Sequence, residues 1–468
     1  MKNLISEIES RVVTTYDDNG FVDVNNYSDL VYNREIEVEN VDGIKKINAK
    51  IWDKAIQKAL DENKKVYIPN MNEDIYLDSS IIMRDNYKLK VDEKQRISMT
   101  PNTRLCLVRN ENLIAGNYCA QKFENPDSNI VIDGGIWDAL HYVRGKITNG
   151  NGGLRTDNEN PILGAWAIMI FSNVKDIIIH NATFTNSTSY AVEISNCEGM
   201  SIQNLLFENY FKDGVHVNGP VKYGILNELS GKNMGDDMVA LNAWDWGTSA
   251  MSFGSIEKLI VQNIHSYHNE FRMLPGRKTY EDKTYRDCDI RDMVIRNIEG
   301  VYTFKLYGQP RFNLPSDCSE ILGNIENIYF ENINFPEVTG SGFGGLPVKG
   351  LFEVCADVKN VHFDNIQIQH TVDEFKEKDI KVIKVGPLSE TFKNGPDPAN
   401  WNEMFYPDDI CTMKDTHIGK IQFSDKVATE NERNEIIATT KMTLNEDYPN
   451  TTPKGGTGYG IVENVIFE

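Results

Sequence analysis

The stretch Val174–Asn181, which reads VKDIIIHN, returns in altered form along the chain and decides the fold. Each copy is a short segment of alternating apolar residues that ends in an asparagine, a residue favoured in turns. Successive asparagines of this set are separated by 23, 23, 36, 34, 35 and 33 residues. The set is Asn181, Asn204, Asn227, Asn263, Asn297, Asn332 and Asn365.

A shortest repeat near 23 residues, made of short strands and turns, predicts the coils of a parallel β-helix. The longer repeats are the same coil with about ten extra residues looped out at the turns. A β-sandwich with similar strands is the alternative, but sandwiches rarely keep one asparagine in register along so many strands. We therefore expect an all-β fold, a single parallel β-helix of about ten coils.

A helix ahead of the repeat is expected to cap it. Ile51–Leu60 has apolar residues at helical spacing, and the strand-like segments Lys65–Pro69 and Asp74–Leu77 follow. A short amphipathic helix covers the open apolar end of a solenoid. We expect an N-terminal extension over residues 1–45 and a β-helix domain over 46–468, with the capping helix at about 51–62. The site coils are expected at about 190–310, and looser coils from about 370.

Composition limits the partners. The chain has 468 residues, 40% apolar, and a formal net charge of −21, which argues against nucleic acid or a membrane as a partner. Its seven cysteines are dispersed with no CxxC pair, which indicates reduced thiols and no zinc site. The N-terminus lacks the apolar segment of a signal peptide, so we expect a cytoplasmic protein, or a secreted one if a leader was removed. A homo-oligomer stays open.

Two acidic turns lie about one repeat apart, Lys212–Gly214 and Gly235–Asp237. Aligning the strands by alternation stacks Tyr190, Asp213 and Asp237 on successive coils about 4.8 Å apart, with Asp236 on the turn beside Asp237. Carboxylates that share one patch are costly unless they bind a cation, share a proton or perform acid/base chemistry.

The same alignment separates inward from outward residues. The outward column forms a mixed-charge groove beside the carboxylates and reads Glu193, His216, Ala240, Arg272 and Lys305. The inward residues are Val192, Ile194, Val215, Val217, Val239, Leu241, Phe271, Met273, Phe304 and Leu306.

Trp244 and Trp246 follow the second acidic turn and bracket an aspartate. They suit stacking against the apolar face of a sugar ring. A loop folded against the coil wall explains them equally well.

Two sets of residues resemble known families. The A-I-Q-x-A-L helix followed by V-x-I-P resembles the N-terminal cap of the pectin-lyase-like right-handed β-helix superfamily. The segments Phe211–Gly214, Gly235–Asp237, Ser252–Gly254 and Arg272–Leu274 resemble the N-T-D-G, D-D, G-H-G and R-I-K motifs of family 28 glycoside hydrolases, the polygalacturonases and rhamnogalacturonases. The three aspartates and the arginine match. Phe253 stands where the family has histidine, and Leu274 where it has lysine.

This resemblance implies a right-handed β-helix enzyme that hydrolyses a glycosidic bond with inversion and needs no cofactor. It implies Asp237 as the general acid, with Asp213 and Asp236 activating water. The family's Arg/Lys pair grips a uronate carboxylate. Here Arg272 remains, and Lys305 is a candidate replacement for the lysine. His216, or His265 and His268 upstream of Arg272, are candidate replacements for the histidine. The losses fit a neutral sugar equally well.

Two other functions stay open. A polysaccharide lyase would bind Ca²⁺ through the aspartates and use Arg272 or Lys305 to remove a proton next to a uronate carboxylate. A non-catalytic carbohydrate-binding β-helix would use the acidic turns only to cap coils. The interpretation we favour is the hydrolase acting on an oligosaccharide, with no metal.

Overall fold

The computed structural model describes residues 1–40, 43–100, 106–113, 125–140, 167–187, 189–210, 212–232, 235–245, 251–279, 285–307, 323–339, 348–386, 410–440 and 459–468. These residues form two compact units. The N-terminal unit comprises Ser6–Gly235 and Thr248–Ser252. The C-terminal unit comprises Met1–Ile5, Asp236–Gly247 and Phe253–Glu468. Each unit is described by itself.

The N-terminal unit is built mainly from strands. They are β1 (Val22–Asp23), β2 (Tyr32–Asn40), β3 (Gly43–Ile51), β4 (Lys65–Ile68), β5 (Ile75–Leu77), β6 (Ile81–Met83), β7 (Lys88–Met99), β8 (Val108–Asn110), β9 (Asp127–Asp138), β10 (Ala167–His180), β11 (Thr183–Ser187), β12 (Tyr190–Tyr210) and β13 (Val215–Lys232). Apart from the antiparallel hairpin of β2 and β3, the pairings are parallel, as in β9–β10, β10–β12 and β12–β13.

The strands of the C-terminal unit continue the numbering. They are β14 (Asp237–Asn242), β15 (Ile256–Leu274), β16 (Gly276–Thr279), β17 (Tyr285–Cys288), β18 (Ile290–Tyr307), β19 (Asn324–Phe335), β20 (Gly350–Cys355), β21 (Asp357–Ile368), β22 (Lys381–Val385), β23 (Ile410–Ile418), β24 (Ile421–Phe423), β25 (Ile437–Thr439) and β26 (Tyr459–Phe467). Parallel ladders join β15–β18–β19–β21–β23–β26, while β16 and β17 form a separate antiparallel pair.

Among the described residues, helices are few and short. They are α1 (Lys2–Arg11), α2 (Asp53–Asn63), α3 (Val372–Glu377) and α4 (Arg433–Ile436), with 3₁₀ turns at Val24–Leu30 and Glu430–Glu432. No helix among the described residues combines the length and apolarity needed to cross a membrane.

The register of the strands equals the spacing of the asparagines within each unit. In the N-terminal unit, Ile179 pairs with Ile202, an offset of 23 residues. In the C-terminal unit, Val261 pairs with Ile295, Ile295 with Phe330, and Phe330 with Phe363. Successive coils therefore stack in parallel, and the predicted right-handed parallel β-helix fold is confirmed.

The asparagines hold this register by bonding to one another. Asn204 donates to Asn181 at 2.8 Å in the N-terminal unit. In the C-terminal unit the ladder runs Asn297 to Asn263 at 2.8 Å, Asn332 to Asn297 at 3.0 Å, and Asn365 to Asn332 at 2.7 Å. Each of these residues has a φ between 51° and 57°, a left-handed conformation that asparagine tolerates better than most residues.

The predicted alignment is wrong at Asn227. This residue pairs with Gln203, and the next residue, Glu228, has the left-handed φ, at 56°. The cause is a bulge: Ser195 pairs with Asn218, but Cys197 pairs with Val221. Two residues, Gly219 and Pro220, therefore lie opposite Asn196, and the register moves from 23 to 24 residues.

The inward residues form apolar stacks. Phe271, Phe304 and Phe352 lie on successive strands with ring centroids 5.1 and 4.9 Å apart. All three are fully buried. Because neighbours along a strand point to opposite faces, Arg272, Lys305 and Glu353 face away from this core.

Helix α2 caps the first coils, close to its predicted place. Ala55, Ile56 and Leu60 on one face are fully buried. The side chain of Gln57 accepts from Ile82 N–H at 2.8 Å and donates to Ile82 C=O at 3.1 Å. It thus occupies backbone groups of β6 that would otherwise be open to another strand.

We expect Asn297→Ala to destabilise the protein by about 2 kcal/mol. The change removes two ladder hydrogen bonds and places alanine in a left-handed conformation. Asn297→Gly is the control, because glycine adopts that conformation freely and loses only the side-chain bonds. Urea unfolding measures both, and an unchanged free energy of unfolding in Asn297→Ala would contradict the role of the ladder.

Candidate active site

The N-terminal unit holds Asp213 and His216 at the start of β13. Both are buried, and His216 Nδ1 lies 2.6 Å from Asp213 Oδ2. Asn218 Nδ2 lies 3.3 Å from the other ring nitrogen, Nε2. An amide NH₂ can only donate, so Nε2 accepts and the proton sits on Nδ1, directed at Asp213. His216 therefore orients the Asp213 carboxylate through a hydrogen bond.

Tyr190 and Glu193 flank this pair. The Tyr190 ring stacks on the His216 ring, with centroids 4.0 Å apart and planes 10° from parallel. Glu193 pairs in register with His216, as the alternation predicted, and is fully buried. Both column residues therefore lie below the surface of this unit, and the predicted groove stays a prediction.

The C-terminal unit holds Asp236, Asp237 and Arg272. Arg272 Nη2 lies 2.9 Å from Asp237 Oδ2 and 3.4 Å from Asp236 Oδ1. Asn269 Nδ2 donates to the Asp236 carbonyl at 3.0 Å, which fixes the turn before β14. Asp237 is fully buried and Asp236 nearly so. One guanidinium thus serves two adjacent carboxylates.

Asp213 belongs to one unit and Asp236 and Asp237 to the other. The three-carboxylate patch predicted from the repeat therefore stays a prediction. By itself, the N-terminal unit supplies the Asp213 carboxylate, oriented by His216. The C-terminal unit supplies the Asp236–Asp237 pair, contacted by Arg272.

Glu270 is a buried carboxylate that the sequence reasoning did not identify. Lys305 Nζ lies 2.5 Å from Glu270 Oε2, Arg272 Nη2 lies 3.8 Å from the same oxygen, and Tyr302 donates its hydroxyl to Oε1. Burial would raise the pKa of Glu270, but the charges of Lys305 and Arg272 and these hydrogen bonds outweigh it and hold the pKa below its usual value. Glu270 is therefore an ionised counter-ion.

Strand alternation contained the signal for Glu270. It lies two residues before Arg272 and so shares its face of the strand. In the register, Glu270 pairs with Asp237 and Arg272 pairs with Lys305. Once Arg272 was assigned to the outward face, the alternation therefore placed Glu270 on that face as well.

The outward column continues past Lys305 to Glu353 and Lys384. Glu353 accepts from Tyr307 Oη at 2.8 Å and from the Lys349 N–H at 2.9 Å. Burial raises the pKa of Tyr307, and the nearby Glu353 charge raises it further. Tyr307 is therefore a neutral donor to Glu353.

Trp244 packs inside the C-terminal unit. The ring is fully buried and meets Phe253 edge to face, with centroids 4.7 Å apart. The predicted contact of Trp244 with a sugar stays a prediction. Trp246 lies outside the described residues. Leu274, at the position of the family's lysine, is also fully buried.

Comparison with known proteins supports the fold. No protein-family profile matches the chain, and no curated protein matches it significantly. The chain is similar to the solved structure of a hyperthermoactive exopolygalacturonase from Thermotoga maritima. The TM-score is 0.57 at 13% identity, covering 100% of this chain and 96% of that one.

It is also similar to the tailspike protein of E. coli bacteriophage HK620, solved in complex with a hexasaccharide. That match has a TM-score of 0.50 at 12% identity and covers 100% of this chain and 71% of the tailspike. At these identities the likeness shows a shared fold and leaves the chemistry to the residues of this chain.

We expect Glu270→Gln to lower the free energy of unfolding at pH 7 by about 3 kcal/mol, because Lys305 would stay buried without its counter-ion. The pKa of Glu270 is lowered in the folded state. Its stabilisation is therefore complete above the unfolded-state pKa of about 4.3 and is lost as the pH falls through the folded-state value. The difference between wild type and variant should shrink below about pH 4.

Urea unfolding at pH 7 and at a series of lower pH values measures this difference. Glu463→Gln is the matched control, since Glu463 pairs with Lys414 at 3.0 Å on the surface. It should change stability by less than about 1 kcal/mol. If both substitutions changed the free energy of unfolding equally, Glu270 would stabilise the protein no more than a surface carboxylate does.

Proposed function

We propose that the protein is a glycoside hydrolase that cleaves an oligosaccharide by single displacement, with inversion at the anomeric carbon. The observation that carries the proposal is the buried Asp236–Asp237 pair contacted by one guanidinium, at the positions that match the family 28 motif. The fold shared with an exopolygalacturonase supports it.

The charges within the C-terminal unit favour acid/base chemistry. Its cluster contains three buried carboxylates, Asp236, Asp237 and Glu270, and two cations, Arg272 and Lys305. Glu270 is ionised. A further proton is therefore best held on the Asp236–Asp237 pair, since crowded carboxylates resist ionising together. A carboxyl group that keeps a proton can act as a general acid.

The reaction has two proton transfers. Asp237 donates its proton to the glycosidic oxygen while the bond from that oxygen to the anomeric carbon breaks. A water molecule attacks the anomeric carbon from the opposite face and gives a proton to Asp236. The products are two sugars, and exchange with solvent returns the proton to Asp237.

Asp237→Asn tests the assignment of the general acid. We expect turnover of a cleaved oligosaccharide to fall by about 10²–10⁴, since the amide cannot donate the proton. Asp292→Asn is the matched control: Asp292 accepts from Asn327 at a coil turn with φ of 56°, where asparagine fits. Detection of new reducing ends measures both. Full turnover in Asp237→Asn would refute the assignment, and no cleavage by the wild type of any oligosaccharide in a broad panel would refute the hydrolase.

The polysaccharide lyase is the second candidate. Ca²⁺ needs oxygen ligands, which the same aspartates would supply. However, Arg272 Nη2 lies 2.9 Å from Asp237 Oδ2, so a guanidinium already occupies the place beside the oxygen that Ca²⁺ would need. This contact favours hydrolysis.

A chelator and an absorbance measurement separate the two reactions. With the hydrolase we expect reducing ends to form at an unchanged rate after EDTA treatment, without the absorbance of an unsaturated uronate. A chelator-sensitive rise in that absorbance would establish the lyase.

A further inference from the structure

We propose that the sugar ring recognised by Arg272 and Lys305 is neutral, and that Glu270 is the specificity-determining residue that excludes a uronate there. The inference rests on the proposed glycoside hydrolase function and names its substrate class. It concerns only residues of the C-terminal unit.

Arg272 and Lys305 are two cations side by side. They pair in register on β15 and β18, which puts their backbones about 4.8 Å apart. Both side chains are largely buried, with 15% and 5% of their surfaces exposed. Two desolvated like charges at this spacing repel each other and require an anion between them. An arrangement of this kind would bind a substrate carboxylate if the protein left the place open.

Glu270 fills that place. Its Oε2 atom is 2.5 Å from Lys305 Nζ and 3.8 Å from Arg272 Nη2. The hydroxyl of Tyr302 holds the other oxygen. The Glu270 side chain is 1% exposed, so water screens its charge very little. The anion that balances the two cations is thus a fixed part of strand β15.

Arg272 is committed to further carboxylates. It lies 2.9 Å from Asp237 Oδ2 and 3.4 Å from Asp236 Oδ1. A uronate that reached Arg272 would bring a fourth carboxylate to a cluster that has three carboxylates and two cations within this unit. Repulsion between buried like charges is strong, and rejecting a competitor by an unfavourable charge is a recognised route to specificity. A hydroxyl or hydroxymethyl group at the same place meets no such penalty.

Lys384, the next cation along the column, also has a buried carboxylate beside it. Lys384 is buried and pairs in register with Glu353, which lies between it and Lys305. Glu353 is itself fixed by Tyr307 and Lys349. A uronate near Lys384 would therefore meet another buried carboxylate. With one proton held on the Asp236–Asp237 pair, the carboxylates Asp236, Asp237, Glu270 and Glu353 carry three negative charges. These equal the charges of the cations Arg272, Lys305 and Lys384, so no cation between Arg272 and Lys384 is left unbalanced for a uronate.

Matched sugar pairs test the inference. Each pair is a uronate-containing oligosaccharide and its carboxyl-reduced form, so the ring, the linkage and the length stay the same. Calorimetry measures binding and reducing-end assays measure kcat/KM, for the wild type, Glu270→Gln, Glu270→Asp and Glu463→Gln. Glu270→Asp keeps the negative charge, and Glu463→Gln removes an exposed charge elsewhere. Circular dichroism verifies that each variant is folded.

We expect the wild type to prefer the reduced, neutral member of a pair by about tenfold or more in both measurements. Glu270→Gln should narrow that preference by about tenfold, because Lys305 then lacks the carboxylate that lies 2.5 Å from its Nζ. Glu270→Asp and Glu463→Gln should keep the wild-type preference. If Glu270→Gln does not fold, the wild-type preference and Glu270→Asp still decide the question.

Several results would overturn the proposal. One is a wild-type preference for the uronate member; another is an unchanged preference in folded Glu270→Gln. Binding of no neutral sugar in the panel would also overturn it. A wild type that cleaves uronates better would refute the substrate class while leaving the hydrolase intact. Binding of neutral sugars without any cleavage would refute the hydrolase while leaving the charge selectivity of the site.

Discussion

The stacking register of the parallel strands is the constraint on which the rest of the structure depends. Side chains alternate between faces along a strand, so a slip of one residue would exchange the core with the surface. The amide ladder from Asn263 through Asn297, Asn332 and Asn365 fixes the register once per coil in the C-terminal unit. The pairing of Arg272 with Lys305 follows from this ladder, because both lie on strands that it aligns.

Much of the fold could be predicted because the repeat encodes the register directly. The asparagine spacings of 34, 35 and 33 residues equal the pairing offsets of the C-terminal strands. The prediction failed at Asn227, since a bulge adds one residue without changing the apolar pattern that follows. Helix α3 was also missed, although Thr371 and Glu374 form a capping box, a signal that is visible in sequence.

The sequence could predict on which face of a strand each site residue lies, but not which side chain it contacts. Alternation assigned Glu193, His216, Arg272 and Lys305 to one outward column. Within each unit the strand pairings agree, Glu193 with His216 and Arg272 with Lys305. Alternation could not show that Lys305 bonds to Glu270, because side-chain rotamers decide which neighbours meet. Nor could it distinguish an exposed Trp244 from a buried one. That depends on Phe253, nine residues further along the chain, whose ring meets that of Trp244 edge to face.

The composition of the column argues that it serves a purpose beyond stability. Burying ion pairs costs desolvation that their attraction seldom exceeds, and apolar residues of similar volume usually stabilise as well or better. The opposite face of the same strands illustrates the apolar solution, with Phe271, Phe304 and Phe352 stacked in the core.

Arg272, Lys305, Glu353 and Lys384 lie on the matching positions one residue further along. A chain that needed only a stable coil would gain from apolar residues there too. We therefore interpret these charged residues as groups that receive a polar ligand, which lowers the stability of the coil relative to apolar residues. Glu270 belongs to the same argument: it neutralises part of that charge, and its position decides which polar ligand can approach.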